Sequence, residues 1–393
     1  MNSMFPGALD LASIWAARLP LGPEGFAEEV GPRWTDASPG RRTSLCQARL
    51  AYVFTHAGTL GYPGSAEARA AAKAGSQAIL NLQRVFWKAE ARGWSKASDG
   101  EGTATDCDID SYDQAFGLLA MAWNFRASGD PDSREIALEA LAGLDAAAGK
   151  AGIEGYPEWR NYDGSVPMAA LAKRRQNPHM HLLEAFLAWN AFDPSGPWLE
   201  RAASMVGLFR EHFTATPQGS LAEYFDANLD PIAGPDGALR EPGHHFEWIW
   251  LLRRWELASG DRAARGDADS LWEFAADKGI DSDGFAFDEV SSDGRIITAS
   301  RLLWPQTELL KAHCARLEWK FGPTDRAAAA RVAAGLGTYA VEGEKGLWHN
   351  RIGREGKAIG GPALSRLLYH LFVALCEFER IDPGSPYLAN SIN

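Results

Sequence analysis

Over 393 residues, 39 Lys and Arg stand against 51 Asp and Glu, and the net charge of −12 disfavours nucleic acid or another polyanion as partner. The composition is 46% hydrophobic with 15 Trp, 18 Phe and 9 Tyr, enough for a large core, yet no stretch reaches the ~18 consecutive apolar residues of a membrane span. Cys46, Cys107, Cys314 and Cys376 form no Cys-x-x-Cys pair, which excludes a zinc ribbon or dithiol redox motif and leaves buried free thiols as the expectation.

Met1 to Leu19 has neither a basic n-region nor a continuous apolar h-region, so a cytoplasmic location is expected. Apolar residues then recur at i, i+3, i+4 and i+7 in twelve segments. They predict helices near 8–18, 41–59, 65–86, 109–127, 132–149, 177–192, 196–215, 243–260, 263–279, 296–319, 325–340 and 361–380. Strand signals are confined to short pieces such as Gly284 to Val290, where Phe285 and Phe287 alternate with smaller residues before Ser292-Asp293-Gly294. A small β-hairpin inside a loop is predicted there.

The connections alternate in length. Tight links follow the even-numbered helices: Leu60–Gly64, Ser128–Pro131, Asp193–Ser195, Asp261-Arg262 and Phe321–Thr324. Long ones, such as Lys150–Gln176 and Thr216–Pro242, follow most of the odd-numbered helices. A short link makes its two helices antiparallel neighbours, so the chain reads as six paired units closing into an all-α ring, with the long loops at one end. An open solenoid is disfavoured because no self-similar repeat of fixed period stands out. Residues 1–393 are expected to form a single domain, with the even-numbered helices lining the ring and the site among the long loops.

The chemically interesting residues fall on those even helices: Arg49 in Gln47-Ala48-Arg49, Tyr112 and Asp113 in DSYDQAF, His181 in NPHMHLLEA, His244 in EPGHHFEW, Trp304 and Glu308 in RLLWPQTE, and His370 in LLYH. Polar groups among Leu, Phe and Trp lose hydration and need partners, so such a set points to a site or a satisfied network. Glu184 follows His181 and Glu247 follows His244 at i+3, where a carboxylate can fix an imidazole tautomer or raise its basicity. Metal is not expected. His179 and His181, two apart on a helix, point to opposite sides, adjacent His244 and His245 diverge, and there is no His-Glu-x-x-His. Trp304, Trp248, Trp250, Tyr112 and the loop residues Trp94, Trp159 and Trp348 offer flat faces for stacking, although most of the Trp must be core. Lys173-Arg174-Arg175 and Arg41-Arg42 are local basic clusters that could receive a phosphate.

The strings QNPHMHLLEA (176–185), PGHHFEWIWLL (242–252) and RLLWPQTE (301–308), with QAR (47–49), DSYDQAF (110–116) and YH (369–370), resemble the N-acylglucosamine 2-epimerase superfamily over about residues 41–380. The resemblance implies an (α/α)6 barrel, a single catalytic domain, a small sugar substrate, no metal and no cofactor. It implies His244 and His370 as the acid–base pair, with Arg49, Asn177, His181 and Glu247 on sugar hydroxyls, Trp304 against the ring and Arg240 as a further binder. Tyr112, Asp113 and Glu308 complete the expected sugar-binding set. Leu45 and Cys46 stand where the family commonly has an aromatic before Gln-x-Arg. The implied chemistry is removal of a proton next to a carbonyl, through a cis-enediol, giving aldose–ketose isomerisation of mannose and fructose. The alternatives are the same reaction on mannose 6-phosphate, 2-epimerisation of a hexose, an N-acylhexosamine or a disaccharide, an inverting glycosidase using Asp113 and Glu308, and a sugar-binding protein without turnover. A monomer or homodimer is expected.

Overall fold

Which helices are buried all round, and which on one stripe only, decides the architecture. The computed structural model describes residues 5–61, 64–99, 101–214, 219–320 and 323–381. Among the described residues twelve long helices occur, one in each segment that the periodicity marks: α1 (Ala8–Arg18), α2 (Ser44–Gly58), α3 (Ala66–Asn81), α4 (Ser111–Ser128), α5 (Pro131–Ala151), α6 (Asn177–Phe192), α7 (Trp198–Leu208), α8 (Pro242–Ser259), α9 (Ala264–Lys278), α10 (Leu303–Glu318), α11 (Pro323–Leu336) and α12 (Leu368–Ile381). Short helices at Ala169–Ala172 and Gly234–Ala238 lie in the long loops.

From Cys46 to Thr55, α2 is buried without interruption, and α8 likewise from Pro242 to Leu252. By contrast α3 buries only Ala68, Ala71, Ala74, Gly75, Ala78, Ile79 and Asn81, the stripe of a helix with one face in solvent. The even helices therefore form the inner ring: α2 packs on α4, α4 on α6, α6 on α8, α8 on α10, α10 on α12, and α12 back on α2. Each odd helix from α3 to α11 backs the even helix before it, and α1 backs α12 from the other end of the chain. There Glu379 accepts from the Ala8 N–H, capping α1 and sealing the ring. At two of the tight links, Gly129 and Gly260 end α4 and α8 in the left-handed region, at φ +71° and +77°, which turns the chain at once into the next helix. The links Leu60–Gly64 and Phe321–Thr324, Thr216 to Gln218 of one long loop, and the last residue predicted for the 196–215 helix lie wholly or partly outside the described residues.

Each long loop clasps its neighbour through a short antiparallel pair. The strand just before an inner helix joins a strand from the loop leading to the next one: 41–43 with 97–99, 109–110 with 159–160, 174–175 with 224–225, 239–240 with 289–291, 301–302 with 351–352, and 363–364 with 29–30. The last pair closes the circle. These strands correct four predicted boundaries: the helices placed from 41 and 109 begin at Ser44 and Ser111, after strands 41–43 and 109–110, and two others shift further. Apolar Ile296, Ile297 and Leu302, read as the start of a helix, lie in strands, so α10 begins at Leu303. Ala363–Leu364 is likewise a strand, followed by a 3-10 turn, and α12 begins at Leu368. The predicted hairpin exists, but as Glu289–Ser291 paired with Ile296–Thr298; Phe285 and Phe287 precede it.

A second device fixes the loops to the barrel. Gln47 Oε1 accepts from Phe26 N–H and its Nε2 donates to Phe26 O, both at 2.9 Å. Gln114 binds the backbone of Trp94 in the same way, and Gln306 that of Ala286. On α6 and α8 the position is taken by histidine: His179 Nε2 accepts from Tyr156 N–H and His245 Nε2 from Leu221 N–H, each at 3.0 Å. Nδ1 then carries the proton and donates to the carbonyl four residues back, Arg175 O and Glu241 O. Burial keeps both rings neutral, at pKa values of about 3 and about 4.

Glutamine offers the acceptor that His245 provides. His245→Gln is therefore expected to unfold in urea within about 1 kcal/mol of the parent, while His245→Leu, which strands a buried N–H, loses about 1–3 kcal/mol. Equal losses in both would mean that stacking on Phe274, not the hydrogen bond, is what matters.

Candidate active site

Two residues beyond each loop clamp, the helix has turned by roughly 200° and the side chain points into the lumen. Gln47 is followed by Arg49, Gln114 by Phe116, His179 by His181, His245 by Glu247 and Gln306 by Glu308. The loop end of the ring encloses a cavity of about 330 Å³. Eight predicted residues line it together: Arg49, Tyr112, Asn177, His181, His244, Glu247, Trp304 and His370.

Three others do not. Asp113 is buried on Ser44 Oγ at 3.1 Å, beside the loop strand and away from the cavity. Arg240 gives Nε to Ser220 Oγ at 2.8 Å and Nη1 to the carbonyls of Gly237 and Leu239, so its guanidinium is consumed in shaping its own loop. Glu308 lies behind the wall, fully buried, and reaches the cavity only through His370. Asp113 and Glu308 thus do not face a common space, and the two-carboxylate arrangement of a glycosidase is not formed by them. Of the stacking candidates only Trp304 and Tyr112 line the cavity. Trp348 stacks on Trp15, Trp94 packs against Gly117, and Trp248 donates to Gln176.

All three cavity histidines rest on a carboxylate, and for His244 and His370 it is one that the i+3 spacing does not supply. His244 Nδ1 meets Glu223 Oε2 at 2.9 Å and, more distantly, Glu241 Oε2 at 3.6 Å; Glu247 is not its partner. His370 Nδ1 meets Glu308 Oε1 at 2.8 Å. The i+3 pairing does hold for His181, whose Nδ1 lies 3.1 Å from Glu184 Oε2, a carboxylate that also takes the Tyr369 hydroxyl. With Nδ1 so engaged, Nε2 of each ring is left to act. Trp304 lies between the two dyads, 5.0 Å from the His244 ring and 5.9 Å from the His370 ring. It lies directly on Gly243, where any side chain would displace it.

Their electrostatics differ. Burial disfavours an imidazolium at His244, but Glu223 and Glu241 outweigh it and raise the pKa to about 10. At His370 burial is reinforced by Arg49 and Lys311, which hold the ring well below its ordinary value and therefore neutral. His181 is kept neutral too, at about 3, chiefly by burial. The Arg49 guanidinium is wedged 4.2 Å from the Phe116 ring and 5.0 Å from that of Tyr369, and donates to Tyr112 Oη at 2.7 Å. Arg49 Nε, Asn177 Oδ1 and Glu247 Oε2 are buried without a hydrogen-bond partner among the described residues.

Two sets of donors here are close enough for a cation, Glu223–Glu241–His244 and Glu247–Glu308–His370. In the second, the Lys311 ammonium already lies between the carboxylates, 2.5 Å from Glu308 and 3.4 Å from Glu247. A larger cavity, about 1150 Å³, opens at the other mouth of the ring, and its Arg253, Arg254 and Arg380 are paired with Glu256, Glu318 and Glu377.

The family model for N-acylglucosamine 2-epimerase (GlcNAc 2-epimerase) matches residues 32–374. The chain belongs to this family. Within the N-acylglucosamine 2-epimerase family it is 31% identical over 370 residues to the mannose-6-phosphate isomerase of Rhizobium meliloti (strain 1021), covering 90% of each chain. It is 30% identical over 367 residues to the D-mannose isomerase of Thermobifida fusca, covering 82% of each. Its fold matches the cellobiose 2-epimerase of Bacillus thermoamylovorans B4167 with a TM-score of 0.83 at 19% identity, over 93% of this chain and 95% of that one. The fold is therefore the (α/α)6 barrel, and the protein is an enzyme of the isomerase and epimerase class. No helix among the described residues is long and apolar enough to cross a membrane.

Sequence reasoning gave no role to Glu223, Glu241, Lys311 or Tyr369. Glu223 is the most consequential. If it sets the charge of His244, an NMR titration of the histidines in Glu223→Gln will show the His244 pKa falling from about 10 toward neutrality while His370 stays unprotonated. An unchanged His244 titration would transfer that role to Glu241.

Proposed function

We propose that the barrel acts as one catalytic domain, a metal-independent aldose–ketose isomerase of mannose-type hexoses that interconverts mannose and fructose. The observation that carries this reading is the opposed charge of two Glu–His dyads on one small cavity: His244 is an acid and His370 a base at the same pH.

On an opened aldose, His370 Nε2 takes the proton from C2 while the His244 imidazolium gives its Nε2 proton to O1, forming the cis-enediol. His244 then recovers a proton from O2 as His370 returns its own to C1, and the ketose results. Return to C2 on the other face would give the epimer instead. Negative charge develops on the enediolate oxygens, and Arg49, held dry and rigid between aromatic rings, stabilises it with its fixed positive charge. Asn177, His181 and Glu247 supply polar atoms for hydroxyls, and Trp304 gives an apolar face to the sugar's C–H side. At about 330 Å³ the cavity sits at the small end of ligand pockets, roughly 300–1,000 Å³, which supports a monosaccharide over a disaccharide. Two relatives at 30–31% identity bear the names of isomerases of this sugar type.

A phosphorylated substrate is the second reading, favoured by Arg175 and Arg366 on the cavity lining. Of the basic clusters only Arg175 reaches it. Lys173 pairs with Asp236, and Arg42 and Arg174 are buried on loop carbonyls. Measuring kcat/KM for mannose and mannose 6-phosphate in the wild type and in Arg366→Ala separates the two. Turnover of the free sugar with less than about a threefold loss supports the first reading; a loss of tenfold or more confined to the phosphate ester, about 1.4 kcal/mol, supports the second.

Incubation with mannose in deuterated water containing a chelator is expected to yield fructose with deuterium at C1 by NMR. His244→Asn and His370→Asn should each slow turnover by about 10²–10⁴-fold. Full turnover in both folded variants, or hydrolysis of a glycoside in its place, would sink the proposal.

A further inference from the structure

The two dyads are built alike, a histidine Nδ1 on a buried glutamate at 2.9 and 2.8 Å, yet they carry opposite charge. The difference lies behind them. Glu223 is supported by the Gln176 amide at 3.1 Å and the Glu241 N–H at 3.4 Å, with a second carboxylate, Glu241, close by. Glu308 instead has a full ammonium on it. Lys311, one turn further along α10, has no exposed surface, and its Nζ lies 2.5 Å from Glu308 Oε2, 3.4 Å from Glu247 Oε1 and 4.0 Å from the Trp250 ring centre. A lysine buried so completely is costly unless anions hold it, and both of its anions adjoin the cavity wall.

We propose that Lys311 is a positioning residue: its buried ammonium keeps Glu308 an acceptor, and so holds His370 with its proton on Nδ1 and a bare Nε2 toward the sugar. The proposal rests on the assignment of His370 as the base.

The argument is one of charge and proton location. His370 faces Arg49 from α2, Tyr112 from α4 through Arg49, His181 and Glu184 from α6, His244 and Glu247 from α8, Glu308 and Lys311 from α10, and Tyr369 beside it. With Lys311 present, Glu247 and Glu308 share one compensating cation. Without it the cluster gains a net negative charge in a dry place and takes up a proton. Burial and Glu247 push the Glu308 carboxyl upward, and the Lys311 ammonium is the main group that pulls it back. A proton on His370 makes it an imidazolium. A proton on Glu308, donated to Nδ1, drives the ring's own proton to Nε2. Either way Nε2 stops being a base.

The test is the tautomer of His370, read from imidazole ¹⁵N shifts in unliganded protein and independent of activity. Wild type is expected to show a neutral ring protonated at Nδ1 from about pH 5 to 8, and Lys311→Met to show Nε2–H over the same range with kcat/KM down at least about tenfold at pH 7. Lys311→Met combined with Glu308→Gln restores charge balance and leaves an amide oxygen for Nδ1–H, so it should recover the Nδ1 tautomer and part of the activity. An unchanged tautomer in folded Lys311→Met, as when the extra proton settles between Glu247 and Glu308, would overturn the proposal, as would a double variant no better than the single. Loss of turnover in His370→Asn tests the parent assignment separately.

Discussion

Residues two apart on an α-helix face nearly opposite ways, and this protein uses that fact on five of its six inner helices. At the loop end of the ring one side chain reaches outward to hold the backbone of a loop and the next-but-one reaches inward to the lumen. Gln47 and Arg49, His179 and His181, His245 and Glu247, and Gln306 and Glu308 are all such pairs. The outward bond satisfies a buried loop N–H that would otherwise cost about 1–3 kcal/mol, and it places the inner helix against the loop that covers it. Cavity and lid are thereby set by the same few residues. The paired strands between neighbouring loops then tie the six lids into one rim.

Burial does most of the chemical work that follows. A histidine in this lumen is driven neutral unless carboxylates outnumber the cations around it, as His181 and His370 show against His244. The barrel thus obtains an acid and a base from one residue type by changing what stands behind each ring, two carboxylates in one case and a carboxylate–ammonium pair in the other. Neighbouring groups whose environments push their titration apart are the usual physical mark of an acid–base pair.

The helices were legible because a ring of this kind writes its burial directly into apolar spacing, and the alternation of link lengths exposed inner and outer layers. Of the eight cavity residues, most were legible as polar or aromatic side chains on inner helices, and Asn177 came only through the family resemblance. What failed was partner assignment. Asp113 is polar and inner by position, but a rotation of roughly 100° from Tyr112 turns it toward a loop, and Arg240 lies in the rim strand before α8, where its side chain holds its own loop. Glu223 sits in a long loop with no periodicity to mark it, and Lys311 at i+3 from Glu308 reads like an ordinary surface ion pair until the barrel closes over it. The repeat itself was present but sparse: the clamp residues 47, 114, 179, 245 and 306 recur 61 to 67 residues apart, with only two informative side chains per period and Gln exchanging with His. α12 keeps the inward His370 but has Leu368 at the clamp position, which hides the pattern further.

The direction of the inner helices completes the electrostatic argument. Every one of them enters from a rim strand, so all six present their N-terminal ends to the cavity. Each end carries a partial positive charge, equivalent to roughly half an elementary charge. That field favours the buried carboxylates Glu223, Glu247 and Glu308 and disfavours a second imidazolium next to the one that Glu223 and Glu241 sustain. It also favours negative charge that appears only during proton transfer, on the oxygens of an enediolate lying by Arg49. A ring with its inner helices reversed could hold the same side chains at the same spacing, but it would present helix C-termini to the cavity and oppose the charge that the reaction develops there.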